Sequence, residues 1–308
     1  MRKLTVSIVT YNAGADIRKC LDSLKRQTFR DFKIIIVDNA SRDSTVETAR
    51  LVFPGALVIV LSENRGFGAG HNIAIANSDS DWVLILNQDA ELKDDCLEKL
   101  MKPTNKSELA AITPLLLRND TDNTIDTTGL TRNWYYKVID RGAGNKYEED
   151  VYKSGYVGGV SAACGLYRTK ALEEVSYQRT DRDYPEYFDE NFFMYKEDVD
   201  LAARLNRKGW KAWFEKTAVG FHDRTGHGPK AVSQTKKHRE YLPEYISINS
   251  YRNHWFFLIK NLPLYSLVPV LGYEAIKFMY LLIFERKTLK GIKEVVGKFK
   301  FMLNRRYV

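Results

Sequence analysis

Four short, continuous apolar runs at residues 4–10, 33–37, 57–61 and 82–86, rich in β-branched side chains, restrict this chain more than any other feature. A strand apolar on both faces must be buried on both, which calls for a parallel sheet with helices above and below it. The intervening segments supply those helices. Ile17, Cys20, Leu21 and Leu24 recur at helical spacing, and Ser41 or Asp43 can cap a second helix running through Phe53. After a glycine-bearing turn, residues 72–77 make a short third helix. The pattern predicts an α/β, Rossmann-like, mostly parallel sheet flanked by helices, with ligands at the carboxyl ends of its strands.

Beyond about Leu117 the regularity fades. Residues 118–156 are polar and turn-rich, carry the cluster Trp134-Tyr135-Tyr136, and read as an insertion over the sheet. Residues 155–168 return to strand-like composition, and residues 184–195 are dense in aromatics. Residues 197–208 are helical and stop at Gly209, where a left-handed cap is needed. From Tyr251 onward the chain is helical and amphipathic, with Pro263 and Pro269 as interruptions. A length of 308 residues suits one large domain with an appendage, divided here as 1–240 and 241–308.

The formal net charge of +8 is unevenly spread. Residues 285–308 hold eight basic and two acidic side chains, a local excess of +6. Just before them, residues 265–284 are strongly apolar but contain Pro269, Gly272, Glu274 and Lys277. That composition points to a C-terminal helix lying on an anionic lipid surface rather than crossing it. Packing against the domain or against a second copy in a homo-oligomer is the alternative. Cys20, Cys96 and Cys164 are far apart and odd in number, which suggests neither a disulfide framework nor a zinc ribbon and fits a reducing cytoplasm. The basic, then apolar, start resembles a signal peptide, yet Thr5, Ser7, Thr10, Tyr11 and Asn12 break the run, and a buried strand explains it better.

Four segments fall where strand ends would meet. Thr10-Tyr11-Asn12 ends the first strand and Val37-Asp38-Asn39-Ala40-Ser41 the second, offering a carboxylate, amides and a flat ring to a nucleoside; the same residues also make a helix-capping loop. Asn64-Arg65-Gly66-Phe67-Gly68-Ala69-Gly70 has alternating glycines that permit close backbone approach, and Arg65 is suited to a diphosphate. Its spacing matches neither a P-loop nor the dinucleotide fingerprint. The apolar strand ending in Asn87-Gln88-Asp89 sets one hard oxygen ligand at the sheet edge, where a diphosphate can supply others to Mg2+ or Mn2+. Last, Asp189 to Leu201 crowds acidic residues beside Phe192, Phe193 and Tyr195, a wall sized for a sugar with a carboxylate able to take a hydroxyl proton. Acidic residues in a first helical turn also complement the helix dipole.

Together with Glu197-Asp198-Val199-Asp200-Leu201, these motifs resemble glycosyltransferase family 2 with the GT-A fold, over roughly residues 4–225 and in the family's order. Within it the chain looks like the bacterial rhamnosyltransferase branch, where Asn-x-Asp stands for Asp-x-Asp. The resemblance implies an inverting, metal-assisted enzyme that transfers a sugar, rhamnose from dTDP-rhamnose, to a glycan or lipid-linked acceptor in cell-surface polysaccharide synthesis. It would work at the cytoplasmic face of the membrane. Residues 1–117 would form the nucleotide-sugar half and 118–240 the acceptor half. Thr10, Tyr11, Asn12, Asp38, Asn64, Arg65, Gly66, Gly68, Asn87 and Gln88 would hold the donor. Asp89 would bind the metal with His222 as the late histidine, and Asp198 would be the base, with Glu197 as runner-up. The amide at Asn87 lowers the charge at the metal.

Two other classes compete. A sugar nucleotidyltransferase needs a basic glycine-rich loop near the first strand, and residues 10–15 contain one glycine and no lysine. A nucleic-acid-binding protein would line a groove with its charge instead of gathering it at one terminus.

Overall fold

The computed structural model describes residues 2–120, 122–222 and 243–306. Its first half alternates as β1 (Leu4–Thr10), α1 (Asp16–Arg26), β2 (Phe32–Asp38), α2 (Thr45–Val52), β3 (Leu57–Val60), α3 (Phe67–Ala76) and β4 (Trp82–Asn87). β4, β1, β2 and β3 lie side by side in that order, all parallel. Ile34, Ile36, Leu84 and Leu86 bury one face against α1 and α2, while Ile35, Val37, Val83 and Ile85 bury the other. This two-sided burial is what the continuous apolar runs of β1, β2 and β4 demand; β3 departs from it, because it ends the sheet and leaves Leu57 48 % and Val60 50 % exposed.

The second half is β5 (Ala90–Leu92), α4 (Cys96–Met101), β6 (Leu109–Leu117), β7 (Ile125–Thr127), β8 (Leu130–Arg132), β9 (Val138–Asp140), β10 (Gly155–Val157), β11 (Cys164–Arg168), α5 (Thr169–Glu174), α6 (Glu197–Arg207) and β12 (Lys211–His222). β11 runs antiparallel to both β4 and β6, so the sheet is mixed, in the order β10-β12-β6-β11-β4-β1-β2-β3. β5 pairs with the end of β12, and β7 with the end of β6. Cys20, Cys96 and Cys164 are free and buried.

Among the described residues, three α-helices follow: α7 (Glu244–Asn261), α8 (Leu267–Phe284) and α9 (Ile292–Asn304). A buried ionic clasp fastens them to the sheet domain. Lys260 Nζ lies 2.6 Å from Asp189 and 2.8 Å from Asp200, Arg204 pairs with Asp200 at 2.9 Å, and Arg305 reaches Glu186 and Asp189.

Local details depart from the sequence pattern. α3 begins at Phe67, five residues before the expected start, because its glycines let it pack directly on β1; a Cβ on Gly70 would stand 2.7 Å from Val9. Ser41 does not cap α2 but turns back to Asp38, and Asp43 accepts from the Thr45 N–H instead. α7 starts at Glu244, ahead of Tyr251, and Pro269 sits in the first turn of α8, where a proline interrupts nothing.

α8 is amphipathic in an inverted sense. Val270, Glu274, Lys277 and Leu281 form its inner stripe: Glu274 is 1 % exposed and accepts from His254 Nε2 at 2.8 Å, and Lys277 pairs with Glu274. Its apolar side chains point outward, with Val268 82 % and Ile276 74 % exposed. Leu264–Phe284 is long and apolar enough to cross a membrane.

Candidate active site

Parallel pairing aligns Thr10 with Asp38, so the tips of β1 and β2 end level. Asp38 is fully buried. Its Oδ1 accepts from Thr10 Oγ1 at 2.8 Å and Ser41 Oγ at 2.5 Å, and its Oδ2 from the Ser41 N–H at 2.8 Å. Asn12, at φ 49°, accepts from the Arg42 N–H, and Gln88 Oε1 accepts from the Tyr11 N–H at 2.9 Å. These polar groups therefore brace the strand tips against each other. Glycine has a similar packing use nearby: at Gly66 (φ 87°) a Cβ would stand 2.5 Å from the Phe193 carbonyl, and at Gly68 it would press on Phe188.

A second constellation forms where β5 pairs with β12, setting His222 opposite Ala90 and bringing its ring to Asp89. His222 Nε2 is 3.2 Å from Asp89 Oδ1 and 3.0 Å from Asn87 Nδ2. On the other side of the ring, Nδ1 is 2.8 Å from Asp126 Oδ2. Burial disfavours the imidazolium, but hydrogen bonds with Asp126 and Asp89 outweigh it and push His222 up to about 9. The set fits a divalent cation, since an ion at Nε2 would replace that proton while Asp126 fixes the ring through Nδ1. Among the described residues no group of three metal-ligating side chains occurs, so Asp89 and His222 would supply two ligands and a diphosphate the remainder.

The acidic pair starts α6. Asp198 Oδ2 accepts from the Ala162 N–H at 3.1 Å and Oδ1 from the Val199 N–H at 2.8 Å. Burial and then repulsion from Asp140 raise its carboxyl above the usual range, against those hydrogen bonds. Glu197 is buried, its Oε2 has no hydrogen-bond partner, and burial followed by Asp198 pushes it up to about 8. Two N–H donors thus favour charge on Asp198, whereas burial and the neighbouring carboxylate favour the protonated form of Glu197.

The backbone leading into this pair is strained: Phe193, Tyr195 and Lys196 have φ of 61°, 70° and 70°. Asn253 of α7 holds it there. Its Nδ2 lies 2.8 Å from Phe192 O, 2.7 Å from Met194 O and 2.8 Å from Tyr195 O, and Arg252 also donates to Phe192 O.

One cavity of about 1630 Å3 joins these groups. Thr10, Tyr11, Asn64, Gly66, Asn87, Gln88, Asp89, Glu197, Asp198 and His222 all line it. Asn12, Asp38, Arg65 and Gly68 do not, being braces, packing positions or, for Arg65, an exposed side chain. Phe193 and Tyr195 are on the wall, but Phe192 is fully buried core against Phe256.

The sequence profile of glycosyl transferase family 2 matches residues 5–176. The chain belongs to that family. A relative, the N-acetylglucosaminyl-diphospho-decaprenol L-rhamnosyltransferase of Mycobacterium tuberculosis, is 27 % identical over 73 % of this chain and 78 % of its own. The O-antigen chain rhamnosyltransferase of Salmonella typhimurium is 29 % identical over 71 % of this chain and 66 % of its own. Two solved structures share the GT-A fold at low identity. GalNAc-T7 with UDP, GalNAc and Mn2+ has a TM-score of 0.61 and 13 % identity, covering 84 % of this chain and 48 % of that one. S. aureus TarS 1-349 with UDP has a TM-score of 0.54 and 16 % identity, covering 99 % and 80 %.

Two residues of this family-2 site escape a reading of the motifs. Asp126 lies in the polar stretch taken for an insertion, although Ile125-Asp126-Thr127 is wholly buried there. Asn253 lies far along the chain and has no local signature; only tertiary contact reveals it.

Proposed function

We propose that this chain is an inverting, metal-dependent rhamnosyltransferase that uses dTDP-rhamnose and works on a lipid-linked glycan at the cytoplasmic face of a membrane. The observation that carries this reading is the opening of the strand tips, the Asp89–His222 pair and Asp198 onto one cavity. Similarity to two rhamnosyltransferases supports the sugar.

In the reaction, the acceptor hydroxyl gives its proton to Asp198 as its oxygen attacks the anomeric carbon of the donor. The bond from that carbon to the nucleoside diphosphate breaks in the same displacement, so the carbon inverts. A divalent cation bound by Asp89 and His222 would neutralise the departing diphosphate. Asp126 orients the His222 ring, Tyr11, Asn64 and Gln88 face the nucleoside, and Asp38 holds their strand tips in register. Glu197, protonated, adds no second charge beside the base.

Membrane association is supported by the outward apolar side chains of α8. Its outward Val268, Ile276 and Met279 each offer about 1.5–3 kcal/mol on burial, and each basic residue of the following segment about 1 kcal/mol at an anionic surface.

Incubation with a panel of nucleotide sugars, with Mn2+ or a chelator, tests the reaction: dTDP-rhamnose should turn over only with the metal. Turnover of UDP-glucose alone would remove the rhamnosyl assignment and leave the family intact. Flotation with phosphatidylglycerol vesicles tests the surface. The full chain should float, a Val268→Asp/Met279→Asp variant should not, and equal recovery of both would move the contact away from α8.

A further inference from the structure

The aromatic cluster Trp134-Tyr135-Tyr136 takes no part in the chemistry above, yet the fold gives it a built position. It tips the β8–β9 hairpin, where Asn133 closes the turn: its Oδ1 accepts from the Lys137 N–H at 2.9 Å, and its own N–H donates to the Lys137 carbonyl at 3.1 Å. The tip is fastened to the start of α8. Tyr135 stacks on Tyr273 with ring centroids 4.0 Å apart, and the buried Tyr136 lies beside Tyr265 and Ser266. Trp134 is left outside, 68 % exposed and edge-on to Tyr135 at 5.1 Å. The other four tryptophans are buried or half-buried. Val138, Ile139 and Asp140 of the same hairpin line the cavity, whereas Trp134 and Tyr135 stand outside it. Leu264, Tyr265 and Val268 are also exposed at this end of α8, so the indole belongs to an apolar patch rather than standing alone.

We propose that the hairpin tip is a second membrane contact, with Trp134 and Tyr265 entering the head-group layer of an anionic bilayer, so that α8 lies in the membrane plane. This rests on the membrane reading above and adds to it a contact from the sheet domain. Three observations select a lipid surface. An indole or phenol joins a flat apolar body to a polar edge, the combination that settles between acyl chains and head groups. The charge at both ends of α8 is complementary to anionic lipid: Arg132 lies over the Tyr136 ring at 3.8 Å beside the tip, and the far end runs into Arg286, Lys287, Lys290 and Lys293. Finally, the 18-residue helix sets its aromatic and basic ends about 27 Å apart, while Glu274 between them is held inward by His254 and Lys277. A crossing helix would draw that buried ionic stripe and its partner α7 into hydrocarbon, whereas a helix lying flat keeps them on the water side.

The exposed indole is its own reporter. The full chain is titrated with vesicles of phosphatidylglycerol and phosphatidylcholine, the latter brominated on its acyl chains either near the head group or near the chain end. Tryptophan emission should shift to the blue and be quenched more by the shallow bromines, and Trp134→Phe should remove most of that response. Trp134→Ala, with its fold checked by circular dichroism, should weaken co-sedimentation with the vesicles about 10-fold. Vesicle binding with the same quenching in parent and Trp134→Phe would overturn the hairpin contact and leave that of α8 standing. Stronger quenching by the deep bromines would overturn the in-plane arrangement. If the parent binds no vesicles at all, the membrane reading fails and the hairpin contact with it. Two other occupants are read without lipid. A blue shift on adding a soluble oligosaccharide would make Trp134 a sugar platform, and a dimer in light scattering that Trp134→Ala dissolves would make it a contact between copies; either result overturns the proposal.

Discussion

At the strand tips, Asp38, Asn12 and Gln88 spend their acceptors on neighbouring N–H and O–H groups and the backbone pairs in regular register. Across the cavity, Glu197 keeps an oxygen without a partner, three non-glycine residues sit at left-handed φ, and Lys196 stands near Lys137 and Lys277. The first wall has its polar groups satisfied before any ligand arrives, although Asn12 and Ala40 there also stand at positive φ. The second holds unspent electrostatic and conformational energy, maintained by helices that lie outside the sheet. Recognition can be built from saturated, rigid groups, whereas proton abstraction needs a carboxylate kept away from its resting state.

The sharpest way to break this contrast is Asp198→Asn. Transfer should fall by about 10^3-fold while donor affinity, owed to the other wall, stays within a few fold, as read by initial rates and by donor binding. Retained activity would move the base elsewhere. Next is Asn253→Ala, which releases three carbonyls of the strained backbone: kcat should drop by about 10^2-fold with donor Kd unchanged. A parallel loss in donor affinity would show that the two walls are not separable.

These two residues also mark what the sequence discloses. The runs that became β1, β2 and β4 are legible because burial on both faces leaves an unmistakable pattern, and Gly209 marks the end of α6 at φ 89°. Asp198 is legible as part of a dense acidic motif. By contrast, Phe193, Tyr195 and Lys196 are poor residues for positive φ, so nothing local announces the strain. The start of α3 was hidden by its own glycines, which promote tight packing here rather than a loop. Asp126 was masked by polar neighbours, and the direction of α8 could not be read at all, because composition gives the two faces of a helix without saying which faces inward.

Smaller effects sharpen the comparison. Asp126→Asn should weaken Mn2+ about 10–100-fold in activation curves, since the ring of His222 loses its anchor while both proposed ligands remain. A pH dependence concerns Glu197. Its folded value is raised to about 8 from an ordinary 4.5, so the folded state binds the extra proton between those limits. Stability from this group is full below about 4.5 and declines as pH rises through about 8. Denaturant unfolding at pH 5 and pH 8 should therefore show a smaller decline in Glu197→Gln than in the parent chain; an equal decline would place the titration elsewhere.

Asn253 has a consequence for anyone who would recombine this enzyme. The side chain that steadies the backbone from Phe192 to Tyr195 belongs to the C-terminal helices, so a graft that exchanges those helices also exchanges the support of the proposed base. Chimeras joined after β12 need an asparagine at the matching place in the incoming helices, or they will inherit a pocket of the right shape lined by a slack backbone.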